Sequence, residues 1–144
     1  MTRAFARSTV FCGLVGMIAL ALISGCATYK PSGPVNVPSG KIVYEVAKEA
    51  DIESLNARLA KYEGWQNREV WHFDVAVKNP TDKPQRYRVR VMLPEQGVSG
   101  GGLLPATGTP PALAPGKSAK GTYPVNFGKT LTKVVIVVET ASFE

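Results

Sequence analysis

The chain has 144 residues, 44% of them hydrophobic, a length that suits one domain with a substantial core. Its 17 basic and 11 acidic residues leave a mild positive balance, which favours anionic surfaces such as lipid headgroups or cell-wall polymer and lacks the basic stripe with interleaved aromatics that nucleic acid requires. Both cysteines, Cys12 and Cys26, precede the body of the chain, so the fold has no thiol for a disulfide or a cysteine metal site.

The first element in chain order is a leader. Arg3 and Arg7 form a charged start, and the run from Val10 to Ile23 carries no charge at all. That run is shorter than the roughly 20 apolar residues of a membrane-spanning helix and matches the core of a signal peptide. It ends in Ile23-Ser24-Gly25-Cys26, which resembles the lipobox of bacterial lipoproteins. The resemblance implies cleavage between Gly25 and Cys26, a diacylglycerol thioether on Cys26, and acylation of the new amino terminus. Two or three acyl chains, at about 0.8 kcal/mol per buried methylene, hold a protein on a bilayer effectively permanently. An ordinary secretory signal leaving Cys26 as a free thiol is the competing reading. Ala27 follows the cysteine, which in many Gram-negative lipoproteins goes with transfer to the outer membrane, so the expected place is its periplasmic face. The expected division is a signal peptide over 1–25, a lipidated Pro/Gly/Ser-rich tether over 26–40, and one β-sandwich domain over 41–144.

Within that domain, Lys41 to Val46 reads as a first strand. From Asp51 to Tyr62 the apolar positions Ile52, Leu55, Leu59 and Tyr62 recur at helical spacing, with Asp51 as N-cap and Gly64 as a stop, which predicts a short amphipathic helix. Its polar face would carry Glu53, Arg58, Lys61 and Glu63. From Val70 onwards, Trp71, Phe73, Val75 and Val77 alternate with mostly polar residues, as Tyr87, Val89, Val91 and Leu93 do after the turn-rich Asn79-Pro80-Thr81-Asp82-Lys83-Pro84. The two runs read as a hairpin in which Val77 meets Tyr87, Val75 meets Val89, Phe73 meets Val91, and Asp74 lies opposite Arg90. Pro94 to Pro111, with Gly100-Gly101-Gly102, reads as a long surface loop. Ser118 to Val125 predicts a strand, and Leu131 to Thr140, apolar on both faces, a central one.

The aromatic-bearing strand running into Val77-Lys78-Asn79-Pro80-Thr81, the second strand of alternating valines, and Leu113-Ala114-Pro115-Gly116-Lys117-Ser118 before a further strand together resemble the small immunoglobulin-like domains of bacterial cell-envelope lipoproteins. The resemblance covers about Val70 to Thr140. It implies a mainly β, immunoglobulin-like sandwich with one added helix, in binding or assembly roles that share no catalytic residues.

Chemical motifs are few. Gly116-Lys117-Ser118 resembles the end of a phosphate loop, but the glycine such a loop needs at position 111 is Pro111. His72 is the only histidine, which excludes a histidine metal cluster and a two-histidine mechanism. Asp74 lies on the same strand face, yet no serine has a nucleophile-elbow setting, so no enzyme activity, metal or cofactor is expected. Arg86, Arg88 and Arg90 form a basic stripe. It reads either as charged protection of a strand face or as a surface for an anionic partner. Trp65 and Trp71 read as core or rim aromatics, with Trp65 beside Tyr62 as an alternative partner anchor. The leading expectation is therefore a lipid-anchored envelope protein presenting a non-enzymatic interaction or assembly module. The alternatives are binding of cell-wall glycan or another anionic polymer, and an accessory lipoprotein of a secretion or surface-appendage machine.

Overall fold

A computed structural model describes residues 28–143; the leader, Gly25 and Cys26 lie outside the described residues. The elements are β1 (Val35–Asn36), β2 (Ser39–Val46), β3 (Asp51–Tyr62), a 3-10 turn (Glu63–Trp65), β4 (Arg68–Lys78), β5 (Tyr87–Leu93), β6 (Val98–Leu104), β7 (Ser118–Val125) and β8 (Leu131–Thr140). They form two four-stranded sheets, ordered β1-β3-β4-β7 and β2-β8-β5-β6. We refer to these as sheets A and B. The core lies between them, with Trp71, Phe73, Val75 and Val77 of β4 facing Tyr87, Val89, Val91 and Leu93 of β5 and Val134, Ile136 and Val138 of β8.

The expected helix over 51–62 is strand β3, antiparallel to β4 along its whole length. Its helical spacing has a specific origin. A β-bulge between Ile52 and Ser54 inserts Glu53, so Ile52 and Leu55, three apart, both face the core. Beyond the bulge the period is two: Leu55 and Ala57 are buried, and Leu59, on the same side, emerges past the end of the core at 44% exposure. Pairing with the strongly alternating β4 outweighs local helix preference, because a helix here would leave one edge of β4 unpaired.

The expected hairpin of β4 and β5 also does not form. Val77, Val75 and Phe73 do meet the side chains of β5, but across the core rather than along a ladder, since β4 pairs with β3 and β7 while β5 pairs with β6 and β8. Alternation tells which side chains turn inward and is silent on which strand lies alongside. Asn79 to Arg86 is long enough to cross the roughly 10 Å between packed sheets. β4 forms its hairpin with β3, and β5 forms one with β6, turned through Pro94 to Gly97, where Gly97 takes a φ of 66°. The segment read as a loop from Pro94 to Pro111 thus contains an edge strand. Its glycines reflect close packing: a side chain at Gly100 would collide with the backbone oxygen of Pro124 on β7.

Three strands lie where the sequence places them. Ser118–Val125 and Leu131–Thr140 coincide with β7 and β8, and the strand read over Lys41 to Val46 is β2, begun two residues earlier. β8 is central, between β2 and β5, and is buried on both faces, with Val135 and Val137 on the outer one. The stretch read as a tether is held from Tyr29 onwards. Tyr29 Oη donates to Asp51 Oδ1 at 2.8 Å and accepts from Ile52 N at 2.6 Å, and β1 pairs in parallel with β3.

Candidate functional site

The arginine stripe divides. Arg86, just before β5, is buried, its Nε without a hydrogen-bond partner and its carbonyl accepting Ala141 N. Arg88 and Arg90 alternate with the inward Val89 and stand exposed on the outer face of sheet B. Arg90 Nη2 donates to both carboxylate oxygens of Glu139 at 2.9 Å. Arg88 lies opposite Glu139 in the ladder, yet has no carboxylate within ion-pair distance among the described residues. The expected pairing of Asp74 with Arg90 is replaced by this one, because the two residues sit in different sheets.

Beside the two arginines runs β6. Arg90 is level with Gly101, where the neighbouring strand is bare backbone, and Arg88 with Leu103, whose side chain shares that outer face. Arg88, Arg90, Ser99, Gly100 to Gly102 and Leu103 surround a shallow hollow of about 390 Å³. A second recess, of about 480 Å³, opens between β6 and β7 and is lined by residues 101–107 and 119–123. Tyr123 borders it. Its ring passes beneath Gly102 and folds back over Gly121, where a side chain would strike its hydroxyl. The residue is 6% exposed and the hydroxyl has no hydrogen-bond partner. Burial pushes its pKa up to about 12, so the group stays a neutral donor. Nothing in the sequence marked this tyrosine, since its isolation depends on two glycines from different sheets.

The outer face of sheet A carries a polar row. Asn36 Nδ2 donates to Asn56 Oδ1 at 2.9 Å, Thr122 Oγ1 donates to Asp74 Oδ1 at 2.6 Å, and Arg58 Nε donates to Asp74 Oδ2 at 3.4 Å. Burial raises the Asp74 pKa, but hydrogen bonds from Thr122 and Asn56 and the charges of Lys120 and Arg58 outweigh it and hold the carboxyl below its usual range. His72 is on this face as expected and is buried, its Nδ1 3.2 Å from the carbonyl of Val70. Tyr62 meets its ring edge-on at 5.8 Å and in turn packs on the half-buried Trp65 at 4.8 Å. Trp71 is a core residue, with Nε1 donating to Lys129 O at 2.7 Å.

Both oxygens of Asp74 are engaged within the sheet, which makes this carboxylate a cross-strand fastener. A carboxyl with a depressed native pKa contributes stability above its unfolded value, about 3.9, and that contribution is lost as pH falls through the lower native one. Asp74→Ala is expected to lower stability by about 2 kcal/mol at pH 7, the scale of charged hydrogen bonds. The difference from wild type should shrink in urea titrations taken below pH 4; a difference independent of pH would show that the charge of Asp74 is not what matters.

Among the described residues no three His, Cys, Asp or Glu side chains come together as metal ligands, and no helix is long and apolar enough to cross a membrane. The candidate surface is the flank of sheet B, where the exposed Arg88 and Arg90 stand beside the glycine strand. Compared with protein-family models, curated proteins and solved structures, the chain matches none.

Proposed function

We propose that this protein is a lipid-anchored component of the bacterial cell envelope, attached through Cys26, whose β domain acts by binding another envelope protein and catalyses no reaction. The observation that carries the binding surface is Arg88, exposed and without a carboxylate partner among the described residues, next to Arg90 beside a hollow lined by Gly100 to Gly102. Desolvating a free guanidinium is worthwhile only when an anion meets it, and planar bidentate contact is what arginine provides there.

The immunoglobulin-like reading has support in the chain order. β7 returns beside β4 and β8 beside β5, so β4, β5, β7 and β8 alternate between the sheets as the B, C, E and F strands of such domains do, with β6 added after β5. β2, running parallel to β8, occupies the remaining edge of sheet B.

The attachment of Tyr29 to Asp51 and Ile52 bears on placement. Two residues, Ala27 and Thr28, separate Cys26 from Tyr29, three Cα steps that reach about 10 Å when extended, so the domain would rest close to the lipid surface, presenting the end that holds Asp51 and Lys78. The test is affinity capture of the lipidated protein from detergent-solubilised envelopes. The expected result is a protein partner that is released by raised salt and reduced at least about tenfold by Arg88→Ser with Arg90→Ser, given one or more close charge pairs. Capture indifferent to both arginines would overturn the surface assignment. Cys26→Ser is expected to leave the chain without lipid mass and out of the membrane fraction; a variant that stays membrane-bound would overturn the anchor.

A further inference from the structure

Sheet edges in folded proteins are normally guarded by charge, proline or shortness, because their free N–H and C=O groups invite pairing. Three of the four edges here follow that rule. β1 has two residues, β2 carries Lys41 and Glu45, and β7 carries Lys120 and Pro124. β6 does not. Its seven residues, Val98-Ser99-Gly100-Gly101-Gly102-Leu103-Leu104, hold no charge and no proline, and pair on one side only, with β5. The three central glycines also leave the middle of the strand without side chains to hinder an approaching backbone.

We propose that β6 is a docking edge for an extended, acidic segment of a partner protein, which adds to sheet B as a further strand. This rests on the basic-face reading above and names the recognition mode and the partner's chemistry. Strand side chains alternate between faces, so one half of the segment's residues would lie over the outer face beside Arg88 and Arg90 and the other half would point into the recess between β6 and β7. Carboxylates suit the first set. Gly101 places no side chain between Arg90 and an added strand, and Arg88 has no internal carboxylate to leave. The second set meets Tyr123, whose buried hydroxyl is unpartnered and whose recess has room for side chains. Main-chain bonds along β6 would supply affinity and the two sets of side chains the specificity, as in other cases of strand addition. A second copy of this chain fits less well, since pairing β6 with itself would bring two sets of Arg88 and Arg90 onto one sheet face.

The experiment uses the lipidated full chain in detergent micelles and a labelled, end-blocked octapeptide alternating Glu with Val or Ser; its Lys-for-Glu counterpart is the control. Fluorescence anisotropy should show the Glu peptide binding at least about tenfold more tightly than the Lys peptide, with a loss of about fivefold on Arg88→Ser. Hydrogen exchange read by mass spectrometry should slow across Val98–Leu104 in the bound state. Binding that leaves exchange in Val98–Leu104 unchanged would overturn strand addition while the arginine-dependent capture still stood. Failure of the Glu peptide to bind, equal binding of both peptides, or concentration-dependent self-association protecting β6 would each overturn the proposed partner. Loss of the arginine dependence in the capture experiment as well would bring down both readings.

Discussion

Asn79→Ala is expected to lower the free energy of unfolding by about 3 kcal/mol, seen as a fall in the urea midpoint with an unchanged slope. Asn79 is fully buried at the corner where the chain leaves sheet A for sheet B. Its Nδ2 donates to Lys83 O at 2.7 Å and Leu113 O at 2.9 Å, and its Oδ1 accepts from Thr81 N at 3.0 Å and Thr81 Oγ1 at 2.7 Å. Its backbone is tied as well, N to Lys117 O and O from Gly116 N. One side chain therefore joins the crossing after β4 to the turn before β7, and the neighbouring Gln85 and Leu113 bridge extends the junction towards β5. Alanine removes four hydrogen bonds, each worth about 1 kcal/mol net, while Lys83 O still accepts from Thr81 Oγ1 and Leu113 O from Gln85 N. Asn79→Asp keeps the acceptor and loses both donors, so it should be destabilising too. A change below about 1 kcal/mol in Asn79→Ala would mean that the backbone bonds alone hold the corner.

The second expectation separates strand from helix between residues 51 and 62. Leu55→Ala should cost about 2–5 kcal/mol, the range for emptying a fully buried leucine site, while Leu59→Ala should stay within about 0.5 kcal/mol. On a helix the two positions, four apart, would share one buried stripe and respond alike. On β3 they share a side, but Leu55 is 1% exposed in the core and Leu59 is 44% exposed beyond it. Ala57, between them, has too little bulk to refill the space that Leu55 would leave. Equal losses at the two positions in urea denaturation would contradict the bulged strand.

The period-two runs at Trp71 to Val77 and Tyr87 to Leu93 gave the inward-facing residues correctly, since side-chain direction in a strand is a local property of the backbone. The strand boundaries at Ser118–Val125 and Leu131–Thr140 were legible for the same reason, helped by Pro115-Gly116 before the first. The arginines were legible only in part. Alternation in β5 gives Arg88 and Arg90 one outward face, whereas Arg86 precedes the strand, where that period no longer governs which way a side chain turns, and it is buried near the C-terminal end of the chain. The glycines from 100 to 102 misled, because in sequence a glycine needed for close sheet contact looks the same as one in a mobile loop.

From sequence alone came the β-rich class, the orientation of the main apolar side chains, the absence of thiols from the domain, and the resemblance of Ile23-Ser24-Gly25-Cys26 to a lipobox, on which the proposed anchor rests. Tertiary structure decided the partners: β4 with β3 and β7, β5 with β6 and β8, Arg90 with Glu139, Asp74 with Thr122 and Arg58. The reason is physical. A strand's alternation records which face meets the core, and this follows from hydrophobicity residue by residue. Which edge it pairs with depends on crossings such as Asn79 to Arg86, and on bulges such as that at Glu53, whose outcomes are set by groups distant in the chain.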